Sequence, residues 1–264
     1  MEYMELLEAL ALPPRVVRVL EQRLPLALSL RQQALALTDR NAAPEAYRAL
    51  AEILGQDDMG MLACQLLAAA ESQTRWEEMG IPQRIFLDTM GCFPRFLEET
   101  RVRRGRDCFD RGWWTWRQLS RTLFRVGALE YELQYPEGAV SLHIPSDADL
   151  SPESVEESLS RARAFLGRFF PEFAGKPMVC ESWLLSPALG ALLPEGSRIL
   201  AFQRRFSIER VEENAMDCLE WLFSAQEDTP LTELREDTSL QRSVKKLLLA
   251  GGRIGTARGV LIYS

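Results

Sequence analysis

The hydrophobic period of this chain changes near residue 124, and that change limits the fold more than any other feature of the sequence. Upstream, apolar residues recur at helical spacing. In "PEAYRALAEILG" the residues Tyr47, Leu50, Ile53 and Leu54 share one face, with Pro44 at the start and Gly55 just past the end. Breaks at 12–14, 24–25, 41–44 and 80–82 divide the stretch, so the reading is an all-helical module of five to seven segments. Downstream, Leu129, Tyr131, Leu133 and Tyr135 alternate with Glu130, Glu132 and Gln134, the period of a half-buried strand. The expectation is an α+β chain of two domains, 1–122 helical and 123–264 mixed, the second built around a mostly antiparallel central sheet.

The alternation continues through the turn residues "YPEGA" into "VSLHI", where Val140, Leu142 and Ile144 share one face and Ser141 and His143 the other. A four-residue loop from Pro136 to Ala139 pairs Tyr135 with Val140, Leu133 with Leu142 and Tyr131 with Ile144. That register sets Glu132 directly across from His143, the only histidine in the chain. A carboxylate that orients an imidazole makes a general base suited to deprotonating an amine. The same pair also reads as an ordinary polar contact on a sheet face.

Two rival chemistries use neighbouring residues. A metal held by His143, Asp147 and Asp149 requires the strand to end in a tight loop around the ion, and the expectation is that no metal is bound. A nucleophilic Cys180, beside Glu181 and Ser182, requires the lone histidine next to it, whereas a cysteine in a strand is ordinarily core. Beyond the hairpin the pattern predicts a helix capped by Ser151, a strand over "KPMVCESWLL" and a short helix over "SPALGALLP". It continues with a strand over "SRILAFQRRFSI", a helix over "SLQRSVKKLLLAGG" and a last strand over "RIGTARGVLIYS".

Charge and composition narrow the function. A formal net charge of −7 supplies no positive field for nucleic acid or an anionic membrane. The run "RVRRGR" follows an acidic "EET" and reads as a solvated corner. Trp113, Trp114 and Trp116 cluster where the helical half ends, a pattern that welds one domain to another or, less simply, stacks a ligand. Five widely spaced cysteines without a C-x-x-C pair fit a reducing compartment. "MEYMELLEAL" lacks the basic and apolar segments of a signal peptide, and no stretch approaches the roughly 18 apolar residues of a membrane span. The expectation is a cytoplasmic protein.

Three stretches, "FDRGWWTWRQLSRTLFRVGALEYEL", "LHIPSDADLSPESVEESLSRARAFL" and "ESWLLSPALGALLPEGSRILAFQRRF", resemble bacterial acyltransferase-domain proteins that join a helical N-terminal domain to a GNAT-like C-terminal domain. The resemblance runs from about residue 45 to the end. It implies transfer of an acyl group from acyl-CoA or acetyl-CoA to an amine, on a small molecule or a peptide. It also implies that a central strand offers its backbone to pantetheine while the next loop and helix N-terminus take pyrophosphate. Carried onto this chain, those cofactor-binding positions are Ile144, Pro145, Ser146, Ser151 and Ser154, with His143 and Glu132 handling the proton. Typical members of the wider superfamily use a Q/R-x-x-G-x-G/A loop; "PSDADLSPES" has no glycine and carries Asp147 and Asp149, which oppose a phosphate. A second strand-to-helix junction at Ser186 is an alternative anion site. The alternative function is a non-catalytic binding or scaffolding protein that keeps the fold and has lost CoA.

Overall fold

Proline, glycine and polar caps cut the first half of the chain into more pieces than the hydrophobic pattern alone predicts. The computed structural model describes residues 1–226 and 228–262. Among them, eight helices precede the first strand: α1 (Tyr3–Ala9), α2 (Pro14–Ser29), α3 (Arg31–Ala36), α4 (Ala43–Leu54), α5 (Asp58–Glu78), α6 (Gln83–Met90), α7 (Cys92–Arg104) and α8 (Gly112–Leu119). That exceeds the five to seven expected, because short turns such as Leu30 separate segments whose apolar stripes read as one. Asp57 caps α5 by accepting the Gly60 N–H at 2.9 Å. This helix is apolar on nearly every side because α1, α2, α3, α4 and α8 surround it. Its Trp76 lies fully buried, edge-on to Phe86 and Phe124, each 5.4 Å away.

The chain divides into two compact units, Met1–Val126 and Gly127–Ser264. Strand β1 (Leu123–Val126) ends the first. The second holds β2 (Leu129–Gln134), β3 (Ala139–His143), α9 (Pro152–Phe169), β4 (Met178–Ser182), α10 (Pro187–Gly190) and α11 (Arg198–Gln203). It closes with β5 (Phe206–Glu212), α12 (Asp217–Phe223), α13 (Ser239–Leu249) and β6 (Thr256–Leu261). Its strands lie in the order β2-β3-β4-β6-β5. Among the described residues of this unit only β3 and β4 run parallel; the other neighbours are antiparallel, as the α+β reading expects. A core of Trp183, Leu189, Leu219, Phe223, Val244 and Leu248 packs α10, α12 and α13 around Trp183, just past the end of β4.

The hairpin register differs from the expected one. Leu133 pairs with Val140, Tyr131 with Leu142, Glu132 with Ser141 and Glu130 with His143. The loop still has four residues, but it comprises Tyr135–Gly138, one position earlier. Gly138, at φ +61°, donates its N–H to Gln134 O at 2.8 Å and closes the turn in a backbone region that favours glycine. Tyr135 thereby leaves the strand and packs edge-on against Phe173 at 4.9 Å. The shift of two residues preserves the faces: Tyr131, Leu133 and Leu142 stay buried, while Ile144, past the end of β3, is half-buried.

Two further segments depart from expectation. "SRILAF" is not the start of a strand but helix α11, after which β5 begins at Phe206. Gln203 donates its side-chain amide to Leu184 O at 2.7 Å and Ser186 O at 3.1 Å, contacts that a strand would not direct to one corner. The last strand covers Thr256–Leu261; the expected extension to Tyr263 and Ser264 lies outside the described residues.

Candidate functional site

The polar face of the β2–β3 hairpin gathers Glu130, Glu132, Ser141 and His143, because alternate residues of a strand point the same way. His143 Nε2 lies 2.8 Å from Glu132 Oε2, with side-chain exposures of 24% and 14%. The pair forms diagonally rather than directly across, since Ser141 faces Glu132 in the ladder. The residue opposite His143 is Glu130, 3% exposed, which the sequence reading passed over. Its signal was present: it shares the parity of Glu132.

The parallel ladder between β3 and β4 contains Val140↔Met178 and Ser141↔Val179 and extends no further. Yet β3 continues to His143 and β4 to Ser182, each kept in the sheet by its other neighbour. Beyond these pairs the facing backbone edges of β3 and β4 are not joined in the ladder, which is where a ligand amide can pair with a strand. From the end of β3 the chain passes through half-buried Ile144, buried Pro145 and exposed Ser146 to the cap of α9. Ser151 Oγ accepts the Ser154 N–H at 3.4 Å and donates to Asp149 Oδ2 at 2.8 Å. Asp149 Oδ1 accepts the Ser151 N–H at 3.0 Å and a bond from Arg198 Nη1 at 3.0 Å. The hydrogen bonds from Ser151, and then Arg198, hold the Asp149 carboxyl below the usual carboxylate range. Arg205 grips the first turn of the same helix, pairing with Glu156 at 2.6 Å and donating to Pro152 O at 3.3 Å.

The helix itself is seated by a buried polar contact. Tyr131 Oη lies 2.9 Å from Ser158 Oγ, which also accepts the Leu129 N–H at 3.2 Å. Gly127 sits opposite, where an added Cβ would meet Ser158 Cα at 3.1 Å. Seven residues separate Ser158 from Ser151, two helical turns, so this contact sets the height and rotation of the capped end.

The rival chemistries find less support. Cys180 is 1% exposed, and burial, then Glu181, pushes its thiol up to about 12, the opposite of an activated nucleophile. Among the described residues no three or more His, Cys, Asp or Glu are placed to hold a metal ion. The alternative anion junction is consumed by the fold, since Ser186 is fully buried and donates its hydroxyl to Ile254 O. In the first unit Arg117 stacks on Trp114 and Trp116 at 4.3 and 4.6 Å, while Trp113 is exposed. No described helix is long and apolar enough to cross a membrane.

A family model for a GNAT-like C-terminal domain matches residues 123–261, and one for an N-acyltransferase N-terminal domain matches residues 1–121. The chain belongs to this family. No curated protein matches it in sequence. Among solved structures, an acyltransferase in complex with decanoyl-CoA and teicoplanin is 26% identical, with a TM-score of 0.83 over 98% of this chain and 87% of that one. An acyltransferase in complex with CoA and 10C-teicoplanin is 25% identical, with the same TM-score and coverage. A further acyltransferase complex with decanoyl-CoA, at 21% identity and TM-score 0.71, shares the fold over 99% of both chains. In this GNAT-like domain the capped helix α9 lies in the connection between the parallel neighbours β3 and β4.

Proposed function

We propose that the chain is an acyl-CoA-dependent N-acyltransferase whose GNAT-like domain, residues 123–264, binds the thioester, with residues 1–122 as a separate helical domain. The observation that carries this reading is the end of the β3–β4 ladder at Ser141↔Val179, in the strand that carries His143 and leads to the capped start of α9. The pantetheine amides complete the open edge of β3 near Ile144 and Pro145. The pyrophosphate lies over Ser146, Ser151 and Ser154, drawn by the dipole of α9. The CoA complexes of the similar acyltransferases support the same co-substrate.

With Nε2–H donated to Glu132, the imidazole lone pair of His143 sits on Nδ1. The acceptor amine attacks the thioester carbonyl; the C–N bond forms, the C–S bond breaks, and the amine proton passes to His143 and then to the departing thiolate. Glu132 stabilises the imidazolium formed in between. The teicoplanin complexes support an amine on a small molecule or a glycopeptide as acceptor. Five free cysteines among the described residues support a reducing cytoplasm.

The test is release of free thiol from acetyl-, octanoyl- and decanoyl-CoA with a panel of amines, glycopeptides included. Acyl transfer that is lost in His143→Gln supports the reading. An absence of CoA binding at millimolar ligand would instead favour the non-catalytic scaffold.

A further inference from the structure

In front of α9 lies an open pocket of about 600 Å³, within the roughly 300–1,000 Å³ typical of small-molecule sites. One wall comes from the loop before α9, with Asp147, Ala148, Asp149 and Leu150; the other comes from the start of α11, with Arg198 and Ile199. We propose that this pocket takes the phosphate-bearing nucleotide end of the CoA thioester, with Arg198 recognising a phosphate and Asp149 positioning that arginine. The inference rests on the acyl-CoA reading above.

The loop has no glycine to bring bare backbone against a phosphate, so the attraction has to come from elsewhere. Arg198 supplies it. A guanidinium carries five donors in a planar fork that matches phosphate, and Asp149 engages one of its nitrogens. The remaining edge is presented at the mouth of the pocket, where the side chain is 69% exposed. Asp149 is tied in turn to the Ser151 N–H and hydroxyl, so the arginine is anchored to the cap of α9 rather than swinging in solvent. Asp149 spends its charge on Arg198 and the cap, and Asp147, on the same wall, adds a second negative charge that the arginine has to outweigh. Ala148, Leu150 and Ile199 offer an apolar wall on which a purine can lie.

Isothermal titration of the full chain with CoA, dephospho-CoA and pantetheine, at low and high salt, tests this. Arg198→Gln is expected to weaken CoA roughly tenfold, with the gap narrowing as salt rises, and to leave pantetheine unchanged. A loss confined to CoA assigns the contact to the ribose 3′-phosphate; an equal loss for dephospho-CoA assigns it to the pyrophosphate. Asp149→Asn is expected to weaken CoA too, and the double variant to be no worse than Arg198→Gln alone. CoA binding that is unchanged in Arg198→Gln, or tightened in Asp149→Asn, overturns the assignment. An equal loss for pantetheine overturns it as well, by exposing a general structural effect. A wild-type chain that binds none of the three ligands overturns the acyl-CoA reading itself.

Discussion

Replacing Ser158 with alanine should loosen the front of α9 without touching any atom of the proposed cofactor site. The hydroxyl is 1% exposed, accepts the Leu129 N–H at 3.2 Å and meets Tyr131 Oη at 2.9 Å. Its removal leaves the Leu129 N–H and the Tyr131 hydroxyl without this partner, at about 1–3 kcal/mol each, or about 2–6 kcal/mol together. Tyr131→Phe removes the tyrosine hydroxyl and leaves the Leu129 bond intact, a loss of about 0.5–1.5 kcal/mol. In the Tyr131→Phe background the serine change strands one polar group instead of two, so the double variant should fall short of additivity by about 1–3 kcal/mol. A chain of two compact units does not yield one global unfolding free energy, so the readout is hydrogen exchange at the Leu129 amide. The functional readout is the KM for acyl-CoA, which should rise more than kcat falls, because the contact fixes the height of Ser151 and Ser154. Strict additivity in exchange, or a fall in kcat alone, would refute the reasoning.

His143→Gln should lower kcat by roughly 10²–10⁴-fold, the usual contribution of a general base, and Glu132→Gln by about tenfold to a hundredfold, as measured by thiol release. Activity that survives both changes removes the pair from the mechanism. Cys180 should resist iodoacetamide at pH 8 until the sheet opens, because burial favours the protonated thiol. That stabilisation is complete below the ordinary thiol range and is lost as pH climbs towards about 12; rapid labelling of the native chain at pH 8 would contradict it. Lys245→Met should speed proteolytic cleavage within residues 230–237. The buried ammonium donates to Thr232 O and Leu234 O at 2.8 Å and pairs with Glu236 at 2.7 Å, so methionine leaves two carbonyls unpaired at about 1–3 kcal/mol each. An unchanged cleavage rate would show the turn to be held by packing alone.

Local chemistry made much of this protein legible from its residues. The switch from a period of 3.6 to 2 separated the helical half from the sheet, and the alternation in "LEYELQ" and "VSLH" put Glu132 and His143 on one face whatever the register. Ser151, followed by Pro152, marked the start of α9 because capping is decided within four residues. Tertiary structure decided the rest. The register moved because the conformation of Gly138 and the contact of Tyr135 with Phe173 outweighed a strand pattern that tolerates any shift of two. Helix α11 replaced an expected strand because Gln203 found carbonyls at Leu184 and Ser186, partners that only the folded corner supplies. Asp149 reads in sequence as a charge opposing a phosphate. Its pairing with Arg198, 49 residues away, depends on how β4 and α11 return to the sheet, not on any local pattern.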